Sequence, residues 1–553
     1  MVSRLALAVR ALSVYSVATA VAPANAATAL DARDASNSSW AQYVRSPSSS
    51  TVIPVGIVAG SVTGNVSDPG ALLGVDASHV TVLSRLSSAD AVACLTIDFG
   101  QVHAGQLHIN FAGAQKAPGS DAAAGHGHPS LQLAFSETME YLTDQSDFTR
   151  SFNAPDDTSD HVVFDGVDQI AVKLDPYTWI DQQGYFLNKY FNTVVLALDR
   201  FYPNHTDAET SLLSKDPKFG DYAFLPRNGS VTYYNALYVL ALQRGADLAD
   251  YLSQDSLSST WRQRAGTVAR SLLQRNWDSS VGAFFDGSPC SGSALCPTHS
   301  QDGNSLAILS GVTASHAGNS SSNGTTAAAE SILTFLSSAM RRPYGNAFFD
   351  NDRLGSFSQR VYPFLAYFEL AARFATSRAT APSAYEELRR LYGWMSAHEP
   401  GVTFWEGIDA GGAPFEQGFT SMAHGWSAGV TPLLTGFVLG VKPTAPGFGT
   451  WAVKPVVDGS GLSWARGQVP TPAGPLSVSW QIGSGNASFR IQVDVPQGTN
   501  GTVSVPVDDT TTSVTLDGTE VLVATSDGYV TVPCGAGTHV VEVGSSEIAV
   551  DLK

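Results

Sequence analysis

The chain contains 553 residues, of which 43% are hydrophobic and 14% charged, and its net charge is −18 at pH 7. This length predicts a large globular protein of about three or four domains. No basic run interleaved with aromatic residues occurs, which excludes nucleic acid as an expected partner, and the acidic balance is typical of a secreted enzyme with a neutral substrate.

The N terminus has the features of a secretory signal peptide. Early arginines, Arg4 and Arg10, accompany an apolar stretch, and the small-residue end at Ala24-Asn25-Ala26 marks a cleavage site. No later stretch approaches the roughly 20 consecutive apolar residues of a membrane span. We therefore expect a leader over residues 1–26, a flexible Ser/Ala/Asn-rich segment over 27–50, and a secreted, extracellular protein without a membrane anchor.

Cysteines and sequons agree with an extracellular location. Cys290 and Cys296 close the short loop CSGSALC, and in an oxidising compartment this spacing predicts a disulfide. The spacing of the pair, without a further cysteine nearby, argues against zinc. Cys94 and Cys534 are expected as buried free thiols. Glycosylation is predicted at the eight sequons, Asn37, Asn65, Asn204, Asn228, Asn319, Asn323, Asn486 and Asn500.

Residues 51–183 carry short β-type runs separated by Gly, Ser and Asp. Such spacing predicts an antiparallel β-sandwich domain. His126 and His128 stand in a Gly/Ala-rich loop, where a plain loop role is favoured over a metal site, so neither a metal nor a cofactor is expected. The predicted strands lie at 80–83, 93–99, 106–111, 131–135 and 162–164.

From residue 184 to residue 443 the periodicity becomes helical. Loops with aromatic and acidic residues join the helices; singly, each is interpreted as a hairpin turn with a capping Asp. Together they predict an (α/α)6-type helical toroid whose loops gather at one mouth, and which is incomplete because six full helical hairpins need more helices. The eight predicted helices lie at 185–202, 232–253, 257–275, 303–312, 324–340, 356–377, 383–398 and 424–440.

After residue 443 the pattern returns to alternating β runs. They predict an antiparallel β-sandwich over residues 444–553. The fold class is therefore multidomain α and β, with a helical toroid flanked by N- and C-terminal β-sandwiches. The predicted strands of this last domain lie at 476–480, 488–493, 502–505, 514–516, 529–532 and 539–543.

The candidate chemistry lies in residues 402–434. Glu406 follows Phe404 and Trp405 in a Gly-rich, turn-prone stretch, and loops on rigid elements commonly carry functional side chains. The alternative for a Glu beside a Trp is a solvated loop carboxylate. Further on, HGWSAG at 424–429 opens an apolar helix, and His424 alone would be a histidine packed at a helix start.

These two elements resemble the paired W-E and H-x-W-S-A-G signature of glycoside hydrolases that act on terminal α-L-rhamnose. Further blocks resemble the same family in the same order: GDYAF at 220–224, YYNAL at 233–237, SQDGNSLAIL at 300–309 and GTW at 449–451. The resemblance is specific from about residue 191 to residue 455. It implies an (α/α)6 barrel between β-sandwiches, an inverting mechanism without metal, and a small carbohydrate or glycoside as ligand.

The resemblance also implies residue roles. Glu406 would be the general base and His424 would line the sugar subsite. Trp405 and Trp426 would offer aromatic faces to the sugar, and Asp221 would lie near the sugar pocket. The oligomeric state, the aglycone and the particular rhamnoside are not indicated by the sequence.

The general acid is not found in the sequence. Inverting hydrolysis needs an acid and a base about 6.5–9.5 Å apart, and the resembled family carries its acid in an Asp/Arg/Glu-rich loop among the first barrel helices. Here the β-rich segment passes into the helices through only DPYTWIDQQG at 175–184. Asp302, which stands at the start of a predicted helix, is interpreted as a cap or turn former.

Three hypotheses follow. The first is a secreted α-L-rhamnosidase-like hydrolase with Glu406 as general base. The second is a catalytically impaired carbohydrate-binding homologue, or a truncated gene model that has lost the acid-bearing segment. The third is another helical-toroid glycosidase, glucoamylase-like or acting on unsaturated glucuronyl groups, which the paired signature disfavours.

Overall fold

The computed structural model describes residues 7–15, 51–74, 79–84, 90–100, 106–114, 142, 185–216, 221, 225–288, 297–314, 322–398, 403–415, 420–483, 488–508, 511–521 and 524–545. The chain divides into two compact units. The first comprises Met1–Val163 with Glu399–Thr403, and the second comprises Phe164–His398 with Phe404–Lys553.

The first unit contains short antiparallel strands. The longest two, β1 and β7, pair along most of their length, and β1 also pairs with β2 and β5. Strands are confirmed near three of the predicted runs, whereas 131–135 and 162–164 lie outside the described residues. β1 falls within the predicted leader, whose removal stays a prediction. The strands are β1 (Leu7–Tyr15), β2 (Thr51–Val52), β3 (Gly56–Ile57), β4 (Asn65–Ser67), β5 (Thr81–Ser84), β6 (Ile97–Asp98) and β7 (Gln106–Ala114).

The second unit begins with helices, and the eight predicted helical segments are confirmed. The sixth starts later than predicted because Pro363 occupies its first position, where the missing N–H of proline costs no helical hydrogen bond. Helix α1 ends, and α8 continues, in a π-helical turn, at Ala197–Phe201 and Leu434–Val438. The helices are α1 (Tyr185–Leu196), α2 (Thr232–Tyr251), α3 (Asp255–Asn276), α4 (Gln301–Leu309), α5 (Ser322–Ala339), α6 (Pro363–Thr376), α7 (Ala381–Ser396) and α8 (Val430–Leu433).

The main core lies among α2, α3, α4 and α5. Trp261, Leu242 and Leu306 are fully buried there, and burial of each such side chain contributes roughly 1.5–3 kcal/mol. Gly245 allows a close approach, because a Cβ on it would lie 2.4 Å from Leu198 and 3.2 Å from Trp261. The indole N–H of Trp261 donates to Asp199 at 2.8 Å, which satisfies the one polar atom of this side chain.

Short β-ladders connect the helices. The loop predicted as a hairpin at 277–286 contains a two-residue antiparallel ladder, whereas the ladder near the loop predicted at 346–350 lies just before it, between residues 341–342 and 345–346. The residues that follow these two ladders lie beside the first turns of α2 and α4, because Thr232 donates from its N–H to the carbonyl of Asp286 and Gln301 to that of Phe348. The strands of the ladders are β8 (Ser230–Val231), β9 (Trp277–Asp278), β10 (Ala283–Phe284), β11 (Gly287–Ser288), β12 (Arg341–Arg342) and β13 (Gly345–Asn346).

Two sheets form the C-terminal region, and all six predicted runs are strands. One sheet has the order β14-β15-β19-β22 and the other β16-β17-β18-β23-β20-β21. The expectation of purely antiparallel pairing is wrong at one place, because β15 and β19 run parallel. The strands are β14 (Val441–Pro443), β15 (Thr450–Val453), β16 (Trp464–Thr471), β17 (Gly474–Ile482), β18 (Ser488–Val495), β19 (Asn500–Pro506), β20 (Thr511–Leu516), β21 (Thr519–Glu520), β22 (Tyr529–Cys534) and β23 (Gly537–Ser545).

The six-stranded sheet buries one face. Along β17 and β18 the buried residues alternate with outward ones, and Trp480 stacks on Phe489 with ring centroids 5.9 Å apart. The indole N–H of Trp480 donates to the carbonyl of Val438 at 2.9 Å. Since Val438 belongs to the π-helical turn after α8, this bond joins the sheet to the helical part of the same unit.

The structure corrects the prediction for one of the two free cysteines. Cys94 is exposed, so the expectation that it is buried is wrong; Cys534 is buried as expected, and burial raises the pKa of its thiol to about 11. Cys290 and Cys296 lie outside the described residues, and their disulfide stays a prediction. Among the described helices, none is long and apolar enough to cross a membrane.

The eight predicted glycosylation sites fall partly within and partly outside the described residues. Four of the asparagines are exposed in the structure, and glycosylation at each stays a prediction. Three others lie outside the described residues, and Asn323 lies in α5. The exposed ones are Asn65, Asn204, Asn228 and Asn500, and those outside are Asn37, Asn319 and Asn486.

Candidate functional site

Glu406 lies on a loop fixed by backbone hydrogen bonds. Its N–H donates to the carbonyl of Ser421 at 2.8 Å, and the N–H of Ser421 donates back to Oε2 of the Glu406 carboxylate at 3.1 Å. Ile408, two residues on, exchanges two 2.8 Å backbone bonds with Val361, next to the start of α6. The carboxylate is therefore held in one orientation by the main chain.

His424 faces this carboxylate. The backbone N–H of His424 donates to the carbonyl of Phe404 at 3.0 Å, and the N–H of Trp426 donates to Nδ1 of the imidazole at 3.3 Å. Because Nδ1 accepts a hydrogen bond, the ring proton of the neutral imidazole lies on Nε2. Nε2 stands 3.9 Å from Oε1 of Glu406, and each side chain is 22% exposed.

The electrostatics keep His424 neutral. Burial lowers the pKa of its imidazole to about 4, so at neutral pH the pair is a carboxylate facing an N–H donor. A gap of 3.9 Å is too long for a direct hydrogen bond, but it suits an oxygen atom that contacts both groups, from water or from a sugar hydroxyl. The arrangement can thus hold a hydroxylated molecule against a base.

The two tryptophans predicted to bind sugar differ in their surroundings. Trp426 is half-buried, donates from its indole N–H to the carbonyl of Glu406 at 2.9 Å, and stacks on Phe364 with centroids 5.4 Å apart. Trp405 is only 2% exposed, and its backbone N–H contacts the sulfur of Met395 at 3.3 Å. Its indole face is covered by protein, so the interpretation of Trp405 as a sugar platform does not fit this structure.

A layer of aromatic rings extends inward from Trp426. Tyr362 meets the edge of Trp426 at 6.1 Å and the edge of Phe348 at 5.8 Å. The guanidinium of Arg227 in turn lies over Phe348, 5.4 Å from its centroid. One aromatic layer therefore connects the Glu406 loop with a buried charged cluster around Arg227.

In this cluster, which we call the Arg227 cluster, one arginine binds three carboxylates. Its guanidinium donates two hydrogen bonds to the carboxylate of Asp286, at 2.7 and 3.2 Å, and two to that of Asp302, at 2.8 and 2.9 Å. Asp221 lies 3.7 Å from Arg227 and accepts a 2.7 Å bond from the hydroxyl of Tyr234. Burial raises the pKa of Asp286.

Two predictions change at the Arg227 cluster. Asp302 lies inside the first turn of α4 and its carboxylate binds Arg227, so its interpretation as a helix cap is wrong; the residue at the cap position is Ser300. The Asp221 side chain is fully buried, so it contacts protein groups and is not open to a ligand. The cluster fixes the first turns of α2 and α4 relative to each other.

A second buried polar group was not predicted. His299 is 4% exposed and lies between two carboxylates, with Nδ1 2.8 Å from Asp350 and Nε2 3.2 Å from Asp278. Its ring stacks on Phe285 at 5.0 Å. The loop after β13 is thereby bound to the β9–β10 hairpin. Among the described residues, no group of three or more His, Cys, Asp or Glu side chains is placed to hold a metal ion.

Part of the C-terminal region matches a known protein family. Residues 440–520 match the family described as bacterial alpha-L-rhamnosidase C-terminal domain. Over these residues the chain is α-L-rhamnosidase-like. The predicted resemblance to the α-L-rhamnosidase family is thus confirmed for the C-terminal region, which includes the GTW block at 449–451. No curated protein matches the sequence significantly.

Solved rhamnosidase structures are similar to parts of this rhamnosidase-like chain. The α-L-rhamnosidase of Streptomyces avermitilis, complexed with L-rhamnose, has 18% identity and a TM-score of 0.47, over 66% of this chain and 31% of that one. The enzyme from Dictyoglumus thermophilum has 16% identity and a TM-score of 0.48, over 65% and 37%. The GH78 family rhamnosidase of Bacillus sp. GL1 has 23% identity and a TM-score of 0.43, over 56% and 30%. This chain spans about a third of their lengths.

Proposed function

We propose that this chain is a glycoside hydrolase that releases terminal α-L-rhamnose by inversion, with Glu406 as general base. One observation carries the proposal. The Glu406 carboxylate is held at Oε2 by the Ser421 N–H, is 22% exposed, and presents Oε1 to the Nε2 of a neutral His424 at 3.9 Å. A carboxylate fixed in this way can accept a proton from a water molecule placed between it and the sugar.

In this proposal, His424 and Trp426 form the wall of the sugar subsite. His424 donates from Nε2 to a hydroxyl of the sugar, and its neutral state at neutral pH means that the imidazole adds no positive charge beside Glu406. Trp426 supports both residues, because its indole N–H holds the carbonyl of Glu406 at 2.9 Å and its backbone N–H fixes the tautomer of His424. Trp405 and Asp221, which are buried, are left out of the proposed binding residues.

The general acid is not assigned. An inverting pair requires a second carboxyl group about 6.5–9.5 Å from the base. Three buried carboxylates in the described part of the chain, Asp221, Asp286 and Asp302, contact Arg227, so we do not assign the acid to them.

The proposed base can be tested with an aryl α-L-rhamnoside. Glu406→Gln keeps the size of the side chain and removes the basic oxygen, so kcat/KM should fall at least about 100-fold. Glu386→Gln is the matched control, because Glu386 is 53% exposed and paired with the exposed Arg341; it should stay within about twofold. Equal turnover by Glu406→Gln and the wild type would remove Glu406 from this role.

A second measurement separates a lost base from a lost fold. In Glu406→Ala, the space left by the carboxylate can admit azide, which attacks the anomeric carbon in place of activated water and needs no base. Recovery of activity with azide, with formation of the rhamnosyl azide of inverted configuration, is the expected result. If the folded variant gives no azide product while the wild type is active, Glu406 does not stand beside the anomeric carbon.

The alternative of a sugar-binding homologue without an acid makes a different prediction. L-rhamnose should then raise the thermal unfolding temperature of the wild type, while no product is released from any rhamnoside. Saturable turnover by the chain would refute it. His424→Ala should abolish the thermal shift in either case, because the proposed subsite loses its Nε2 donor.

We also propose that the eight helices form part of an (α/α)6-type toroid, that the C-terminal sheets pack as a sandwich, and that the protein is secreted. The helix order, the buried face of the six-stranded sheet and the leader-like N terminus support this. Amino-terminal sequencing of protein collected from culture medium tests secretion. A first residue at Ala27 is expected, and an intact Met1 on the exported protein would contradict the leader.

A further inference from the structure

The outer face of the six-stranded C-terminal sheet carries a row of polar and aromatic side chains. Successive cross-strand pairs join Trp464 to Gln481, Gln481 to Arg490, Arg490 to Glu542, and Glu542 to Thr515. Directly opposed residues in antiparallel strands point to the same face, with Cβ atoms about 5 Å apart. The five side chains thus form one continuous line across β16, β17, β18, β23 and β20.

This row faces outward. Trp464 is 50% exposed, the Arg490 side chain 41% and the Glu542 side chain 52%. Their neighbours along the strands, Trp480 and Ile491 among them, are buried on the opposite face. The exposed ring of Trp464 is therefore accessible from solvent on the same face as the polar side chains of the row.

Four residues of the row, Gln481, Arg490, Thr515 and Glu542, line a hollow, and Trp464 stands beside it as the cross-strand partner of Gln481. The volume of the hollow is about 360 Å³, and its walls include Gln481, Ser488, Arg490, Ser513, Thr515 and Glu542. Ligand sites in proteins typically measure about 300–1,000 Å³, so the hollow can hold one or two sugar rings. It is lined by residues of β17, β18, β20 and β23, none of which belongs to the Glu406 loop.

The chemistry of the hollow favours a neutral, polyhydroxylated ligand. Arg490 and Glu542 pair at 3.0 Å from Nε to Oε1, so the charges compensate each other and no net charge selects a phosphate or a carboxylate. Guanidinium donors, carboxylate acceptors, an amide and hydroxyls stand side by side, which matches the alternating donors and acceptors of vicinal hydroxyl groups. A protein partner would require a more apolar centre than this row offers.

Trp464 supplies the apolar surface that a sugar ring also needs. The guanidinium of Arg466 lies over its ring, 5.2 Å from the centroid, and this contact restricts the indole on one side. The C–H face of a pyranose can pack on the remaining aromatic surface, while its hydroxyls reach Gln481 and the residues beyond it.

We propose that this face, comprising Trp464, Gln481, Arg490, Glu542 and Thr515, is a saccharide-binding surface for neutral polysaccharides, separate from the Glu406 site. Binding there would hold the protein on a polymer while the proposed catalytic site works on terminal sugars. The surface does not depend on the proposed hydrolytic activity, because none of its residues belongs to the Glu406 loop.

Native affinity electrophoresis tests the proposal. The full-length protein is run in gels that contain soluble xyloglucan, arabinoxylan or galactomannan, and its dissociation constant is obtained from the retardation. The wild type should be retarded in at least one gel. Trp464→Ala and Glu542→Gln should each raise the dissociation constant about tenfold, as truncation of a central contact does. Tyr251→Ala, at an equally exposed aromatic residue of α2, should bind as the wild type does.

The other outcomes are equally decisive. Absence of retardation in all three gels, or equal retardation of the wild type and Trp464→Ala, would overturn the proposal. So would a sugar-independent change of oligomeric state in Trp464→Ala on gel filtration, because the face would then be a contact between copies of the chain. Retained retardation of Glu406→Gln distinguishes this surface from the proposed active site, and loss of retardation in that variant would contradict a separate surface.

Discussion

Replacement of Arg227 by methionine would leave the carboxylates of the Arg227 cluster without their cation. Methionine has a similar length and fills the same space, but it cannot donate the four hydrogen bonds that Arg227 gives to Asp286 and Asp302. The Arg227 and Asp302 side chains are fully buried, so water cannot replace the lost donors without opening the core.

The size of the effect follows from this burial. Removal of one partner from a buried ion pair costs about 3–5 kcal/mol, and here three carboxylates lose the same cation at once. We therefore expect Arg227→Met to lower the free energy of unfolding by about 5 kcal/mol, the upper end of this range. The total free energy of unfolding of a domain is typically about 5–15 kcal/mol. The side chains of the cluster would remain in place only if protons replaced the missing charge.

The loss should depend on pH. Burial already raises the pKa of Asp286 in the wild type, which means that the folded protein binds this proton more tightly than the unfolded chain does. Such a group favours folding at low pH and costs stability as pH rises through its folded pKa. Without Arg227 the pKa of Asp286 rises further, so the deficit of the variant should be greatest at neutral pH and shrink toward pH 5.

Urea unfolding at pH 7 and at pH 5 measures this free energy of unfolding. Hydrogen-exchange mass spectrometry then shows whether the loss lies in α2 and α4. Arg341→Met is the control, because Arg341 is 51% exposed and its partner Glu386 is 53% exposed; it should lose less than about 1 kcal/mol. A loss below about 1 kcal/mol in Arg227→Met, or a larger loss at pH 5 than at pH 7, would refute the reasoning.

Three further variants test other parts of the structure. Gly407→Ala should destabilise the Glu406 loop by about 1–3 kcal/mol, seen as a lower Tm, because its Cβ would lie 2.7 Å from the ring of Phe415. His424→Gln should remove a pH dependence: the imidazole pKa falls from 6.5 unfolded to about 4 folded, so the wild type should lose up to about 3 kcal/mol as pH falls through this range, and the variant should not. Arg378→Met should cost about 1–3 kcal/mol in urea unfolding, because Arg378 holds Asp458 at 2.8 Å and two backbone carbonyls.

Each of these three variants has a matched control. Gly425→Ala should keep the wild-type Tm, because no atom lies within 4 Å of its Cβ position. His79→Gln, at a 68% exposed imidazole, should keep the wild-type pH dependence. Arg244→Met, at a 47% exposed arginine, should change the free energy of unfolding little. Equal effects in a variant and its control would contradict the contact assigned to that residue.

The sequence predicted the elements better than the site. Long helices such as α2 and α3 repeat their apolar residues over several turns, so their period is unambiguous, and the alternation in β17 and β18 is as clear. The parallel pairing of β15 with β19 was not predictable, because the strands are separated by 46 residues and their own patterns do not encode direction.

The Arg227 cluster shows why the site was harder. Arg227 stands in the polar stretch LPRNGS, which is typical of an exposed turn, and its partners Asp286 and Asp302 follow 59 and 75 residues later. Only the fold brings these charges together. For the same reason the burial of Trp405 could not be seen from its neighbours, whereas the proximity of Glu406 and His424 was implied by the family resemblance and is present in the structure.

The bond from Trp480 to the carbonyl of Val438 limits where the chain can be truncated. A fragment that stops near residue 443 would keep helices α1–α8, yet it would lose the Trp480 indole and leave the Val438 carbonyl without its donor. Tyr385 would lose its acceptor at Val456 as well. Expression of the helices alone should therefore yield insoluble material, and co-expression of the missing strands as a separate polypeptide should restore it.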